Sequence, residues 1–248
     1  MSRQNSPGFS LIELAIVMFI VSIILGGLLT PLSTRLESQN RKQTTTMLAE
    51  IKESLMGYAI INGHLPCPDC SDTTSGSCGD AGITANDGIE DGVDSGTGVS
   101  PRSGNTFDSC AFDEGNLPWA TLGVPEYDAW ENNFRYRVTD SFADDAADCT
   151  TSTSGISFCL DSGGDIDIND EDGSSVAQNV PAVVVSFGDN ANDVGNPSSA
   201  SEQENQDNDT TFVQEDYRAA GTNEFDDLLI WVSPDNLMYK MISAERLP

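Results

Sequence analysis

The sequence predicts an α+β fold: a long N-terminal helix packed on an antiparallel β-sheet, with long loops pinned by disulfides. Three observations predict it. An apolar run from Phe9 to Thr30 passes directly into a helix-periodic stretch that ends near Ile61. Strand-like alternation appears only from Phe134 onward. Between them, residues 63–118 are rich in Gly, Asp, Ser, Thr and Pro and hold four of the six cysteines. One helix followed by strands implies a helix laid across an antiparallel sheet. The chain divides into residues 1–8, an apolar segment 9–30, an amphipathic segment 31–62 and a globular head 63–248.

The apolar run comes first. Its 22 residues suffice to cross a bilayer core of ~30 Å at ~1.5 Å per residue. Glu13 is its one charge, and a carboxylate costs roughly 2.5–3.5 kcal/mol at the centre of an inserted helix. Such a residue is expected to have a partner or a function. The eight residues before the run are polar and short. A secretory signal peptide is cut after its apolar stretch, whereas the processing-like junction here, Gly8-Phe9, precedes it. The apolar helix therefore stays on the mature chain.

The helical pattern continues beyond the run. Leu32, Leu36, Met47, Leu48, Ile51, Leu55, Tyr58 and Ala59 recur at mostly three- and four-residue spacings. Polar Glu37, Gln39, Asn40, Arg41, Lys42, Glu50 and Glu53 lie between them. Gly63 is placed to end the helix. Gly26, Gly27 and Pro31 predict a kink or a melted segment, because proline removes a helical hydrogen bond and clashes with the preceding turn.

Residues 63–118 read as a loop region with little regular structure. A loop that long is uncommon unless functional or stapled. Cys67, Cys70, Cys78, Cys110, Cys149 and Cys159 all lie beyond the apolar segment, and an even count in an exported domain reads as disulfides. Cys149 and Cys159 are expected to pair locally, and the other four to form two bridges whose pairing stays open.

Strand signals come later in the chain. Phe134, Tyr136 and Val138 alternate with Arg135 and Arg137, and Ile156, Phe158 and Leu160 alternate next. Ala182–Phe187 is an apolar run of the kind a buried strand shows. Leu228–Val232 and Leu237–Ile242 read as a hairpin around Ser233-Pro234-Asp235-Asn236. Asn190–Thr211 is polar and aperiodic, and reads as a mobile loop.

Charge narrows the function. With 40 acidic and 11 basic residues the net charge is −29, and no Lys or Arg occurs between Lys52 and Arg102. Nucleic-acid binding needs a basic stripe to replace counterions, so that partner is excluded. Charge of this size also makes the folded chain repel itself, and divalent cations would relieve that. A plain solvated acidic surface is the simpler alternative. Arg3 precedes the apolar run while Arg35, Arg41 and Lys42 lie after it, so basic residues do not set the topology.

Gly8-Phe9-Ser10-Leu11-Ile12-Glu13-Leu14 resembles the class III leader of type IV pilins and of the pseudopilins of type II secretion. The resemblance implies cleavage after Gly8 by prepilin peptidase and methylation of the new amino terminus at Phe9. Counted from Phe9, Glu13 is the fifth residue, where that family carries its glutamate. There it is expected to meet the amino terminus of its own or a neighbouring subunit and to fix the stagger of assembly. The implied partners are the peptidase, other pilin or pseudopilin subunits and the inner membrane. The N-terminus would be cytoplasmic and the C-terminal domain periplasmic, with a periplasmic or extracellular fibre after assembly. A simple signal anchor is the alternative, in which glycine, aromatic and glutamate coincide by chance.

A second resemblance lies in the head. Leu117-Pro118-Trp119, then Asp128-Ala129-Trp130-Glu131-Asn132-Asn133-Phe134-Arg135-Tyr136, are similar to a pseudopilin stretch, with Ala129, Glu131 and Asn133 departing from it. Val185-Ser186-Phe187-Gly188-Asp189 resembles a strand and turn of that family. Phe225-Asp226-Asp227-Leu228-Leu229-Ile230-Trp231 resembles its acidic segment leading into a tryptophan. The resemblance implies calcium held by Asp189, Asp193, Asp226 and Asp227. The large, insertion-rich head suggests a minor structural subunit, not an enzyme.

Other chemistry remains open from sequence. Cys67-Pro68-Asp69-Cys70 has the spacing of thiol oxidoreductases and of half a zinc site, the latter needing Cys78 and His64 as well. A membrane-anchored periplasmic thiol oxidoreductase and a calcium-dependent adhesin are the functional alternatives. Asp165, Asp167 and Asn169 match the start of an EF-hand loop, but Asp170 stands where that loop needs glycine.

Overall fold

The computed structural model describes residues 10–71, 78, 84–94, 98–101, 109–143, 158–160, 162–193, 199–219 and 223–247, with the side chains of 25–33, 94, 98–101, 192 and 193 outside the description. Two compact units are present, Met1–Lys42 and Gln43–Pro248.

Helix α1 spans Leu11–Asn62. It ends where the sequence predicts: Gly63 takes a left-handed φ of 87°, and its N–H closes the last turn on the Ala59 carbonyl at 2.8 Å. Residues 26–31 are helical throughout, so the melted segment expected at Gly26, Gly27 and Pro31 does not occur. Within the first unit, large apolar side chains from Leu11 to Ile24 are exposed at consecutive positions, so the helix is apolar all round. Its one hydroxyl there, Ser22, bonds back to the Met18 carbonyl at 2.8 Å. Among the described residues no helix is long and apolar enough to cross a membrane. The described side chains of the apolar run stop at Ile24, short of the ~20 residues a crossing needs.

The second unit is built in three layers. Its central sheet has the order β10-β8-β5-β4, from Leu228–Val232, Ala182–Ser186, Arg135–Val138 and Glu114–Asn116. All pairings in it are antiparallel. One face packs under Leu48, Ile51, Leu55, Met56 and Ala59 of α1, together with Leu237 and Met241 of α4 (Pro234–Ser243). Full burial of each leucine, isoleucine or methionine among them is worth ~1.5–3 kcal/mol. The other face packs against a small sheet of order β7-β6-β9, from Ser175–Val180, Ile166–Asn169 and Thr211–Val213. Every residue of β8 is therefore buried, which explains its unbroken apolar run where alternation would mark a half-exposed strand. β6 and β9 pair in parallel, the exception to the antiparallel pattern.

β5 shows what alternation does here. Tyr136 and Val138 enter the core, and Tyr136 donates its hydroxyl to the Pro66 carbonyl at 2.9 Å. Arg135 and Arg137 point the other way and share Glu114 on the neighbouring strand, at 2.6 and 3.2 Å.

Several expectations are corrected. Leu237–Ile242 is not a strand but lies in α4, with Pro234 at the first helical turn. A proline after a serine starts helices as readily as it makes turns, because its fixed φ suits the first position. Phe158–Leu160 forms no strand, and Ile156 lies outside the described residues. Residues 63–118 carry more structure than expected. β1 (Asp91–Asp94), β2 (Gly98–Pro101) and β3 (Ser109–Cys110) form a third sheet of order β2-β1-β3, and β4 joins the central one ahead of the short helix α2 (Trp119–Leu122). The stretch after Asn190 is not only loop, because it contains helix α3 (Ala200–Glu204) and leads into β9.

Candidate functional site

Two regions concentrate chemistry. At the N-terminus, Glu13 sits in the first turn of α1, where a negative charge suits the exposed N–H groups of a helix start. Gly8 and Phe9 lie outside the described residues.

In the head, Glu202, Asp226 and Asp227 are buried, and one carboxylate oxygen from each lies within 4.8 Å of the others. Glu202 comes from α3, and the two aspartates from the segment entering β10. The backbone of the 3-10 turn Gly188–Asp193 cradles Asp226, with the Asp189 N–H donating to Oδ2 at 2.7 Å. Gly188 permits this approach. Its φ is 64°, and a Cβ there would stand 2.4 Å from the Asp226 carboxylate. Asn190 donates to Glu202 at 3.0 Å, and Asn205 donates to Asp227 at 2.8 Å. Asp227 Oδ1 and Asn190 Oδ1 are buried with no hydrogen-bond partner among the described residues.

Burial pushes the Asp226 carboxyl up to about 7, with the Glu202 charge adding to the rise and the Asp189 N–H opposing it. Burial likewise raises Asp227 well above the ordinary carboxylate range, against the pull of its bond from Asn205. Convergent carboxylate oxygens are of the donor type that hard cations take.

The resemblance named four residues for calcium. Asp226 and Asp227 are in this cluster. Asp189 contributes its backbone N–H while its side chain is exposed, and the side chain of Asp193 is outside the description. Glu202 was missed, because it lies in a stretch read as loop. The signal was there: Ser199 accepts the Glu202 N–H at 3.2 Å, so Ser199-x-x-Glu202 marks a helix start. The motif from Asp128 supports the site from behind. Asp128 accepts the Trp130 and Asn132 N–H groups and the Ser186 hydroxyl, while Asn132 donates to the Gly188 carbonyl at 2.8 Å. Asp165, Asp167 and Asn169 form no EF-hand loop: Asp167 and Asn169 lie in β6, paired with β7 and β9. A second acidic group, Glu204, Asp207 and Asp209, is more exposed.

Cys67 is bonded to Cys110 and Cys70 to Cys78, with Cα separations of 5.3 and 5.9 Å. Cys159 is also disulfide-bonded, and its expected partner Cys149 lies outside the described residues. The two cysteines of the CxxC motif thus belong to different bridges, and no described cysteine is free. That arrangement is neither a CxxC redox pair nor a zinc half-site. His64 is buried, with Nδ1 2.9 Å from the Leu65 carbonyl and its ring edge-on to Tyr58.

Around these bridges lie buried carboxylates that hold backbone. Glu90 accepts the Cys67 N–H and the Tyr58 hydroxyl, Asp91 the Cys70 N–H and Asp69 the Gly88 N–H. Burial raises Asp69 to about 7 and Asp91 to about 6, in each case against a backbone N–H that lowers it.

Residues 3–29 match the family described as Prokaryotic N-terminal methylation motif. These residues therefore carry a prepilin-type leader, the substrate signal of prepilin peptidase, which supports a pilin-like subunit of the type IV pilin and pseudopilin family. No curated protein and no solved structure matches the chain.

Asp69 sets a pH dependence. Its folded pKa, about 7, exceeds its ordinary 3.8, so the folded state holds the proton more tightly. The stability this gives is complete below about 4 and is lost as pH rises through about 7. In chelator, the head should melt higher at pH 5 than at pH 8. Asp69→Asn should raise the pH 8 midpoint more than the pH 5 one, by ~2–4 °C per kcal/mol relieved. An equal shift at both pH values, read by thermal melting, would contradict the assignment.

Proposed function

We propose that this chain is a minor structural subunit of a fibre of the type IV pilus and type II secretion class. It is cut between Gly8 and Phe9 and methylated on Phe9. Residues 9–30 anchor it in the inner membrane, with the head on the periplasmic side, until assembly draws the helix into the fibre. The observation that carries this reading is the contiguous Gly8-Phe9-Ser10-Leu11-Ile12-Glu13, which joins a processing junction, an apolar helix and one carboxylate at a fixed spacing. The exposed apolar surface all round the start of α1 supports it, because such a helix needs lipid or neighbouring helices to cover it. The insertions that build α3, β9 and the β2-β1-β3 sheet support a specialised rather than a bulk subunit. The split CxxC pair favours a structural role over thiol redox chemistry.

The head also holds calcium, through Glu202, Asp226 and Asp227. The oxygen-only donor set, its burial and the unpartnered Asp227 Oδ1 support this. The cation offsets the repulsion of three carboxylates brought together without water.

Two measurements test the reading. Glu13→Val should insert in the membrane normally yet be incorporated poorly into the fibre when co-expressed with wild-type subunits, and wild-type incorporation would count against an assembly role. In thermal melts, calcium should raise the midpoint above magnesium at equal ionic strength, with ~2.7 kcal/mol gained at a hundredfold excess over Kd. Asp226→Ala should abolish the calcium increment and Asp167→Ala should keep it. Equal melting in the two cations would reject a calcium-selective site.

A further inference from the structure

Asn205 is buried at the C-terminal cap of α3 and uses both ends of its amide. Its Nδ2 donates to Asp227 Oδ2 at 2.8 Å and to the Val213 carbonyl at 3.0 Å. Its Oδ1 accepts the Val213 N–H at 2.7 Å. Val213 is the last residue of β9, which pairs in parallel with β6 at Asn169. One side chain therefore joins α3, β9 and a carboxylate of the acidic cluster.

The bond to Asp227 is selective. It occupies Oδ2 and leaves Oδ1 without a hydrogen-bond partner among the described residues. A carboxylate held by one oxygen presents the other in a fixed direction. Asn205 also stands three residues after Glu202, so the contacts that fix the end of α3 set where Glu202 enters the cluster. We propose that Asn205 is the positioning residue of the cation site and couples that site to β9. The proposal rests on the calcium reading above. A cation that binds Asp227 holds Asp227 against Asn205, and Asn205 then holds both polar backbone groups of Val213. Partners that orient a ligand in this way typically account for 10–100-fold in metal affinity.

The test uses the full chain in detergent micelles, stripped with chelator and titrated with calcium chloride by calorimetry. Hydrogen exchange of the peptide covering residues 206–214 is measured in parallel. Wild type should bind calcium and slow exchange in this peptide. Asn205→Ala should raise Kd by at least ~tenfold and, with calcium at about a hundredfold excess over the wild-type Kd, lose about half or more of the calcium increment in melting temperature. Leu55→Ala is the control, because it loosens the core cluster under α1, which is separate from the one that holds β9. It should lower the midpoint equally in chelator and in calcium while keeping Kd near wild type. A wild-type Kd and increment in Asn205→Ala would overturn the proposal alone. So would an equal loss of affinity in Leu55→Ala, which would make the role merely structural. Should Asn205→Ala not fold, wild-type exchange over 206–214 that is indifferent to calcium overturns the coupling. A wild-type chain that binds no calcium overturns the cation reading itself.

Discussion

The head depends on burying one stripe of α1. Leu48, Ile51, Leu55, Met56 and Ala59 recur at helical spacing and meet the face of a four-stranded sheet, where Tyr136, Val138, Val184 and Val232 receive them. The polar contacts around that stripe set its register. Thr44 accepts the Ala129 N–H, Ser54 donates to the Leu122 carbonyl, and Lys240 pairs with Glu53. Such exposed ion pairs add little energy, so the apolar contact carries the packing. The sheet's other face is also apolar, through Val183 and Val185, and must be covered in turn. Ile166, Ile168, Val180 and Phe212 of the small sheet do this.

That second layer brings the acidic chemistry inside. Glu202 and Asn205 arrive with the segment that supplies β9, and meet Asp226 and Asp227 where β10 begins. A chain of net charge −29 has few cations of its own to place there. Its buried carboxylates are met in two different ways. Near the Cys67–Cys110 and Cys70–Cys78 bridges, Asp69, Glu90 and Asp91 each accept backbone N–H groups and act as clamps on a loop. The bridges reduce what that loop gains by unfolding. In the Glu202–Asp226–Asp227 cluster the carboxylate oxygens instead converge on one another. Each group keeps a buried carboxylate oxygen without a hydrogen-bond partner among the described residues, Asp69 Oδ1 in the first and Asp227 Oδ1 in the second, and the second differs in bringing three carboxylates together.

Sequence made the helix, its end at Gly63, the central strands β5, β8 and β10, and the leader motif legible. Each carries a strong local signal: a period, an apolar run, a glycine at a left-handed position, or a contiguous motif. What it concealed was set by tertiary contact. β9 has only three residues and β7 is largely exposed, while in β6 the alternation of Ile166 and Ile168 with Asp167 and Asn169 lies among residues that match the start of an EF-hand loop. Leu237–Ile242 is apolar enough to be read as strand, and only Ser233-Pro234 marked it as helix. Asp226 and Asp227 could be singled out by resemblance, whereas Glu202 could be found only through the capping pattern from Ser199. Cys67 and Cys70 show the limit of a spacing: the two bridges expected among Cys67, Cys70, Cys78 and Cys110 form, but only the fold decides that these two cysteines belong to separate ones.

Processing at Gly8-Phe9 separates a pilin-like subunit from an anchored head that merely shares an apolar start. Intact-mass and N-terminal peptide spectrometry of the chain purified from cells that contain the peptidase measures this directly. A pilin-like subunit should yield a mature chain that begins at Phe9 and carries one added methyl group on its amino terminus. A chain that retains Met1, or one cut beyond Thr30 with the apolar helix removed, would contradict it.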